Sequence, residues 1–217
     1  MKEILSFLNG LQKNNTREWM ETNKSQYLNS KQQFEDIISS LIDNIAAFDP
    51  HILGTEPKKC IFRLHRDVRF SKDKRPYKEN MGGFINKNGR KGMDGGYYIH
   101  IQPGQSMLAG GTYMPPPEIL RKIRQEIDYN PDGLIKFMKS SDFKKYFGTF
   151  EGDRLKKAPK GYSPDHPNIE LLRLKSYIVV HRIEDAELLK PGFLENTTRV
   201  FKAMLPLNNY IRTALDE

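Results

Sequence analysis

Cys60-Ile61-Phe62-Arg63-Leu64-His65-Arg66-Asp67-Val68-Arg69-Phe70 splits into two sets when read with a period of two. Cys60, Phe62, Leu64, Val68 and Phe70 fall on one side; Ile61, Arg63, His65, Asp67 and Arg69 fall on the other. Such alternation predicts a half-buried β-strand over about Lys59–Phe70. Arg66 breaks the rule by landing on the apolar side. The polar side is unusual too, because it sets Arg, His, Asp and Arg at intervals of roughly 7 Å. Solvated strand faces more often carry Thr, Ser, Lys and Glu. The rest of the chain is read around this stretch.

Before it, the pattern is helical. Ile4, Leu5, Leu8 and Leu11 mark a short helix over residues 1–12, and a second is expected from Arg17 to Asn23 around Trp19. Phe34, Ile37, Ile38, Leu41, Ile42 and Ile45 follow three-four spacing, which predicts one long helix from about Lys24 to Ala47. Asp49-Pro50 stops it. Trp19, Tyr27 and Phe34 are read as core.

After it, Ser71 to Pro76 reads as a turn. Gly83 to Asn86 is a short strand, Asn88-Gly89 a hairpin signal, and Gly96 to Gln102 alternates again, with Tyr98, His100 and Gln102 on its polar side. Ser106 to Ala109 begins a further strand. Gly110 to Pro117 looks too rich in Gly and Pro for a regular element. Helices are expected over 118–128, 131–139 and 141–147. Thr149 to Leu155 reads as a candidate strand, Lys156 to Pro167 as a loop and Ile169 to Leu174 as a brief helix. Tyr177 to Arg182 is a strand. A closing helix, kinked or split by Pro206, runs from Phe193 to Ala214. Short links between consecutive strands favour an antiparallel meander. The order of elements predicts one α+β domain over 1–217, with a mostly antiparallel sheet, helices on one face and residues 1–48 packed on it.

The 217 residues suffice for one such domain, and 37% hydrophobic residues suffice for its core. A single cysteine excludes a disulfide framework, so a reducing cytoplasm is expected. No stretch approaches the ~20 apolar residues of a membrane span, and the amphipathic start lacks the apolar run of a signal peptide. Charge is concentrated: residues 58–91 hold twelve Lys and Arg against three acids, a net of +9 in a chain of net +8. That points either to a solvated basic loop or to a surface that meets phosphate or another anion.

Two blocks, Arg63-x-x-Arg66-Asp67-x-Arg69-Phe70 and Asp73-Lys74-x-x-Tyr77-Lys78, resemble the signature of an uncharacterised conserved family of bacteria and some fungi, domain of unknown function 2461. Further landmarks are Gly110-Gly111-x-Tyr113-x-Pro115 and Pro159-Lys160-Gly161-Tyr162, with Asp165-His166-Pro167 and Leu171-Leu172-Arg173. The resemblance spans most of the chain. It implies a single domain of about this length and assigns no activity.

Function is therefore read from the residues. Arginine forks suit phosphate or carboxylate, and Arg63, Asp67, Arg69, Lys74, Tyr77, Lys78, Tyr98 and Lys160 are the candidate ligand-binding set. The competing reading makes the charges a ladder of cross-strand ion pairs. Arg66 and Asp73 are assigned structural roles, an ion pair and a turn cap. His65, His100 and His166 are the candidate acid–base residues, His166 competing with a capping role. His65, Asp67 and His100 suggest a metal only weakly, since the arginines oppose a cation; neither metal nor cofactor is expected. The leading expectation is a basic cleft on the sheet that binds a phosphate-bearing small ligand, with turnover of that ligand as its extension. A non-catalytic nucleic-acid-binding module and a protein-interaction domain with purely structural arginines remain alternatives. Residue patterns give no oligomeric state.

Overall fold

A computed structural model of the chain describes residues 1–69 and 72–216. Phe70 and Ser71, which the sequence places at the end of a strand and the start of a turn, lie outside the described residues. The fold is α+β. Contacts cluster in two compact units. The first comprises residues 1–90, 98–108 and 182–198, and the second residues 91–97, 109–181 and 199–217.

In the first unit, α1 (Lys2–Lys13), α2 (Arg17–Thr22) and α3 (Lys24–Ala46) follow the predicted apolar spacing closely. Ile4, Leu5, Phe7, Leu8 and Leu11 of α1 are buried, as are Phe34, Ile38, Leu41, Ile42 and Ile45 of α3. Thr16 caps α2 by accepting the Trp19 N–H at 3.2 Å. Trp19 and Tyr27 are half-buried rather than core.

The strand expected over 59–70 is absent as a regular element. Pro57–Cys60 instead forms a single helical turn, α4, opened by a proline at its first position. The chain from Ile61 onward is extended but pairs only in two patches. Phe62 N–H donates to Gly82 O at 3.0 Å, and Ile61 bridges Gly83. Further on, Arg66 N–H donates to Pro76 O at 2.9 Å, Lys78 N–H donates to Leu64 O at 2.8 Å, and His65 bridges Tyr77. Four steps lead from Ile61 to His65, but six lead from Tyr77 to Gly83. The return limb therefore carries two extra residues, a bulge around Glu79 and Asn80. A remote residue takes the other edge of that limb: Asn15 Oδ1 accepts the Tyr77 N–H at 3.1 Å, and Asn15 Nδ2 donates to Tyr77 O at 3.0 Å. The predicted split survives in the burial, with Cys60 and Leu64 buried while Arg63, His65, Asp67 and Arg69 are exposed.

Four strands among the described residues, β1 (Met81–Ile85), β2 (Tyr97–Ile101), β3 (Ser106–Thr112) and β4 (Tyr177–Ile183), form an antiparallel sheet in the order β1-β2-β3-β4. Along β2, Tyr97, Ile99 and Ile101 are buried, whereas Tyr98 and His100 are half-buried on the opposite face. Gly83 lets β1 sit against Ile38 and Phe34 of α3. β3 runs through Gly110, Gly111 and Thr112, where an irregular segment was expected. The glycines are compatible with a strand because their neighbours approach so closely: a Cβ on Gly110 would lie 2.5 Å from Met204 Sδ.

The remaining helices are α5 (Pro117–Tyr129), α6 (Asp132–Lys139), α7 (Ser141–Tyr146), α8 (Ile169–Leu172), α9 (Asp185–Leu188) and α10 (Phe193–Asp216). α10 continues through Pro206. The expected strand over 149–155 reduces to isolated bridges, Glu151 with Ile178 and Arg154 with Leu174. No helix among the described residues is long and apolar enough to cross a membrane.

Candidate functional site

The bulge opens a pocket of about 390 Å³ in the first unit, lined by Arg66, Asp67, Lys78, Glu79, Asn80 and Gln102. Arg66 and Asp67 arrive on the outgoing limb and Lys78, Glu79 and Asn80 on the return limb; Gln102 follows β2 directly. Two cations and two carboxylates make this lining mixed in charge.

The carboxylates are already claimed. Asp67 takes the Arg69 side chain in a two-pronged pair, Oδ1 to Nε at 3.0 Å and Oδ2 to Nη2 at 2.7 Å. These bonds, with the Arg69 backbone N–H, hold the Asp67 carboxyl below its ordinary range. Asp73 receives Arg75 through its side chain and backbone N–H and Arg66 Nη1 at 2.7 Å. Its carboxyl is held well below the usual range, first by the Arg75 hydrogen bonds. Glu79 is bound by Arg75. Arg66 is only partly buried, its side chain 27% exposed.

Lys78 is left over. It makes no ion pair with a carboxylate among the described residues. Its Nζ lies 5.6 Å from the centre of the Phe62 ring, a cation–π contact. Burial lowers its pKa, and the neighbouring charges of Arg63 and Arg66 lower it further. Arg63 is exposed and makes no hydrogen bond or ion pair among the described residues.

Beside the pocket, the polar face of β2 forms one connected network. His100 Nε2 lies 2.9 Å from Gln102 Oε1, so this nitrogen carries the hydrogen. Nδ1 then accepts from the Tyr98 hydroxyl at 2.9 Å and the Asn80 amide at 3.3 Å. Burial lowers the His100 pKa, partly offset by Gln102, and pushes the Tyr98 hydroxyl up to about 12. Gly82 makes the arrangement possible: a Cβ there would lie 2.8 Å from the Tyr98 hydroxyl. With both ring nitrogens engaged, His100 links Asn80 and Gln102 at the pocket wall.

The other sequence candidates scatter. Arg69, with its side chain 76% exposed, is turned to Asp67, and Lys74 donates to Val68 O at 3.0 Å. Tyr77 is buried with its ring edge-on to exposed His65, the centroids 5.0 Å apart. Lys160 and His166 belong to the second unit. Lys160 is exposed. His166 Nδ1 accepts the Asn168 N–H at 3.0 Å and Nε2 donates to Asp128 at 3.0 Å, so this ring braces the turn leading into α8. Cys60 is fully buried in the core, and that burial pushes its thiol up to about 11. No group of three or more His, Cys, Asp or Glu among the described residues is arranged to hold a metal. Glu79 and Asn80 escaped the sequence reading, because a bulge is a property of two paired limbs and leaves no mark on either alone.

The model of the family DUF2461, described as a conserved hypothetical protein, matches residues 3–210. No curated protein and no solved structure gives a significant match.

Proposed function

We propose that this chain, which belongs to the DUF2461 family, binds a small anionic ligand of the phosphate-ester class in the bulge pocket, with Lys78 at the centre. One observation carries the reading: Lys78 lines the pocket half-buried, without a carboxylate partner among the described residues, while Arg63 and Arg66 both add positive charge beside it. Burying an ammonium is unfavourable unless an anion compensates it. A phosphate oxygen on Nζ would supply that anion, and the Arg63 and Arg66 forks suit the remaining oxygens. Asn80 and Gln102 then face the uncharged end of the ligand, where amides read hydroxyls or a ring edge.

Calorimetric titration of the purified chain with inorganic phosphate, a ribose phosphate and a nucleoside monophosphate tests this. Loss of one charge-assisted contact corresponds to about tenfold or more in affinity, and Lys78→Met should show that loss. Unchanged affinity in Lys78→Met would sink the reading. Binding confined to oligonucleotides, and falling steeply with salt, would transfer it to a nucleic-acid strand.

A further inference from the structure

We propose that Lys78 is also a nucleophile, which forms an imine with the carbonyl carbon of an anionic aldehyde or ketone held in the bulge pocket. The choice of an anionic carbonyl compound rests on the binding reading above. A lysine acts as a nucleophile when it can shed its proton near neutral pH and when its nitrogen opens on space a substrate can enter. Lys78 meets the second condition and moves toward the first, its pKa lowered mainly by burial. The side chain lines the pocket, and Phe62 lies beneath the amine, its ring centre 5.6 Å from Nζ. The acids that would hold an ammonium in place are engaged elsewhere, Asp67 with Arg69, Asp73 with Arg66 and Arg75, and Glu79 with Arg75. The surrounding cations, Arg63 and Arg66, favour the neutral amine, in the same direction as burial. None of the other candidate nucleophiles is so placed. Cys60 is sealed in the core, and the Tyr98 hydroxyl is committed to His100.

The step balances without an oxidant. The lone pair of the neutral amine attacks the carbonyl carbon, a C–N bond forms and the carbonyl π electrons move to oxygen, which takes a proton from water. The nitrogen releases a proton to water, giving the carbinolamine. Protonation of its hydroxyl lets the C–O bond break, water leaves and the C=N bond forms as nitrogen gives up its last hydrogen. Amine and carbonyl thus become imine and water. The arginines hold the anionic group, and the cationic iminium that forms before nitrogen gives up that hydrogen gains stability from it.

Pyridoxal 5′-phosphate and uncharged pyridoxal serve as probes on the full chain, trapped with sodium cyanoborohydride and mapped by peptide mass spectrometry. Lys78 should be labelled ahead of the exposed lysines, about tenfold faster by the phosphorylated probe, and inorganic phosphate should protect it. The labelling rate should rise with pH through a midpoint below the ordinary lysine value of about 10.4. Lys78→Arg keeps the cation and should still bind phosphate while losing the label. Labelling spread over surface lysines without enrichment at Lys78 overturns the inference, and phosphate binding lost in Lys78→Met would still leave the binding reading intact. Equal labelling by both probes, unprotected by phosphate, supports the nucleophile and overturns the anionic ligand.

Discussion

Asp67 holds the guanidinium of Arg69 two residues away, with Oδ1 3.0 Å from Nε and Oδ2 2.7 Å from Nη2. The pair is largely exposed, and it uses both the fork of the arginine and the charge of the acid. Arg69 is therefore a poor candidate to grip a phosphate, although it sits in the most arginine-rich part of the chain. Arg69→Ala should change phosphate affinity less than about threefold, in the range of exposed ion pairs. Asp67→Asn, which removes a negative charge from the pocket wall, should strengthen binding. Calorimetry on both variants decides the matter, and abolition of binding in Arg69→Ala would put the anion outside the pocket.

Asp73 ties Arg66 and Arg75 together at the base of the loop. Its folded pKa lies below the unfolded value, so its contribution is present above the ordinary carboxylate pKa of about 3.9 and is lost as pH falls further toward the folded value. Urea unfolding should find Asp73→Asn less stable than the parent at pH 6, with the gap closing as the solution is acidified below that range. Arg66→Ala should be milder than Asp73→Asn, since it leaves Asp73 bound to Arg75. A constant gap at every pH would mean that the carboxylate charge does not matter.

His100 gives the opposite ionisation and the same sign. Burial lowers its pKa, so between the ordinary value of about 6.5 and the lower folded value the unfolded chain binds a proton that the folded chain does not. Stability should fall as pH drops through that window, and His100→Gln should flatten this part of the profile. Proton NMR of the imidazole gives an independent reading. A His100 midpoint at or above 6.5 would contradict the network drawn around its two nitrogens.

What was legible in the sequence was local. The three-four spacing of Phe34, Ile38, Leu41 and Ile45 needs only its own helix to be read, and the two faces of Tyr97 to Ile101 need only their own strand. The Arg-rich stretch showed its buried and exposed sides for the same reason. It concealed its pairing, because that depends on Gly82, Pro76 and Tyr77 and on Asn15, 62 residues before Tyr77. Lys78 was visible as a basic residue near the site. That it lines the pocket without an acid of its own among the described residues could be seen only once Asp67, Asp73 and Glu79 had chosen their arginines.

Gly111 and Gly104 separate two reasons for a glycine. Both have left-handed backbones, φ +107° and +72°. Around Gly104 nothing lies within 4 Å of an added Cβ, so Gly104→Ala meets only the conformational penalty, about 1–2 kcal/mol. At Gly111 the same Cβ would sit 1.9 Å from the backbone oxygen of Tyr177 on β4, and backbone cannot swing aside as a side-chain end can. β3 and β4 would have to part for Gly111→Ala to fold, so it should lose about 3 kcal/mol or more, strain and overpacking together. Chemical denaturation of the two variants beside the parent measures both. Equal losses would show that backbone conformation alone sets the need for glycine, and that the close approach of Gly111 to Tyr177 carries no weight in holding the sheet.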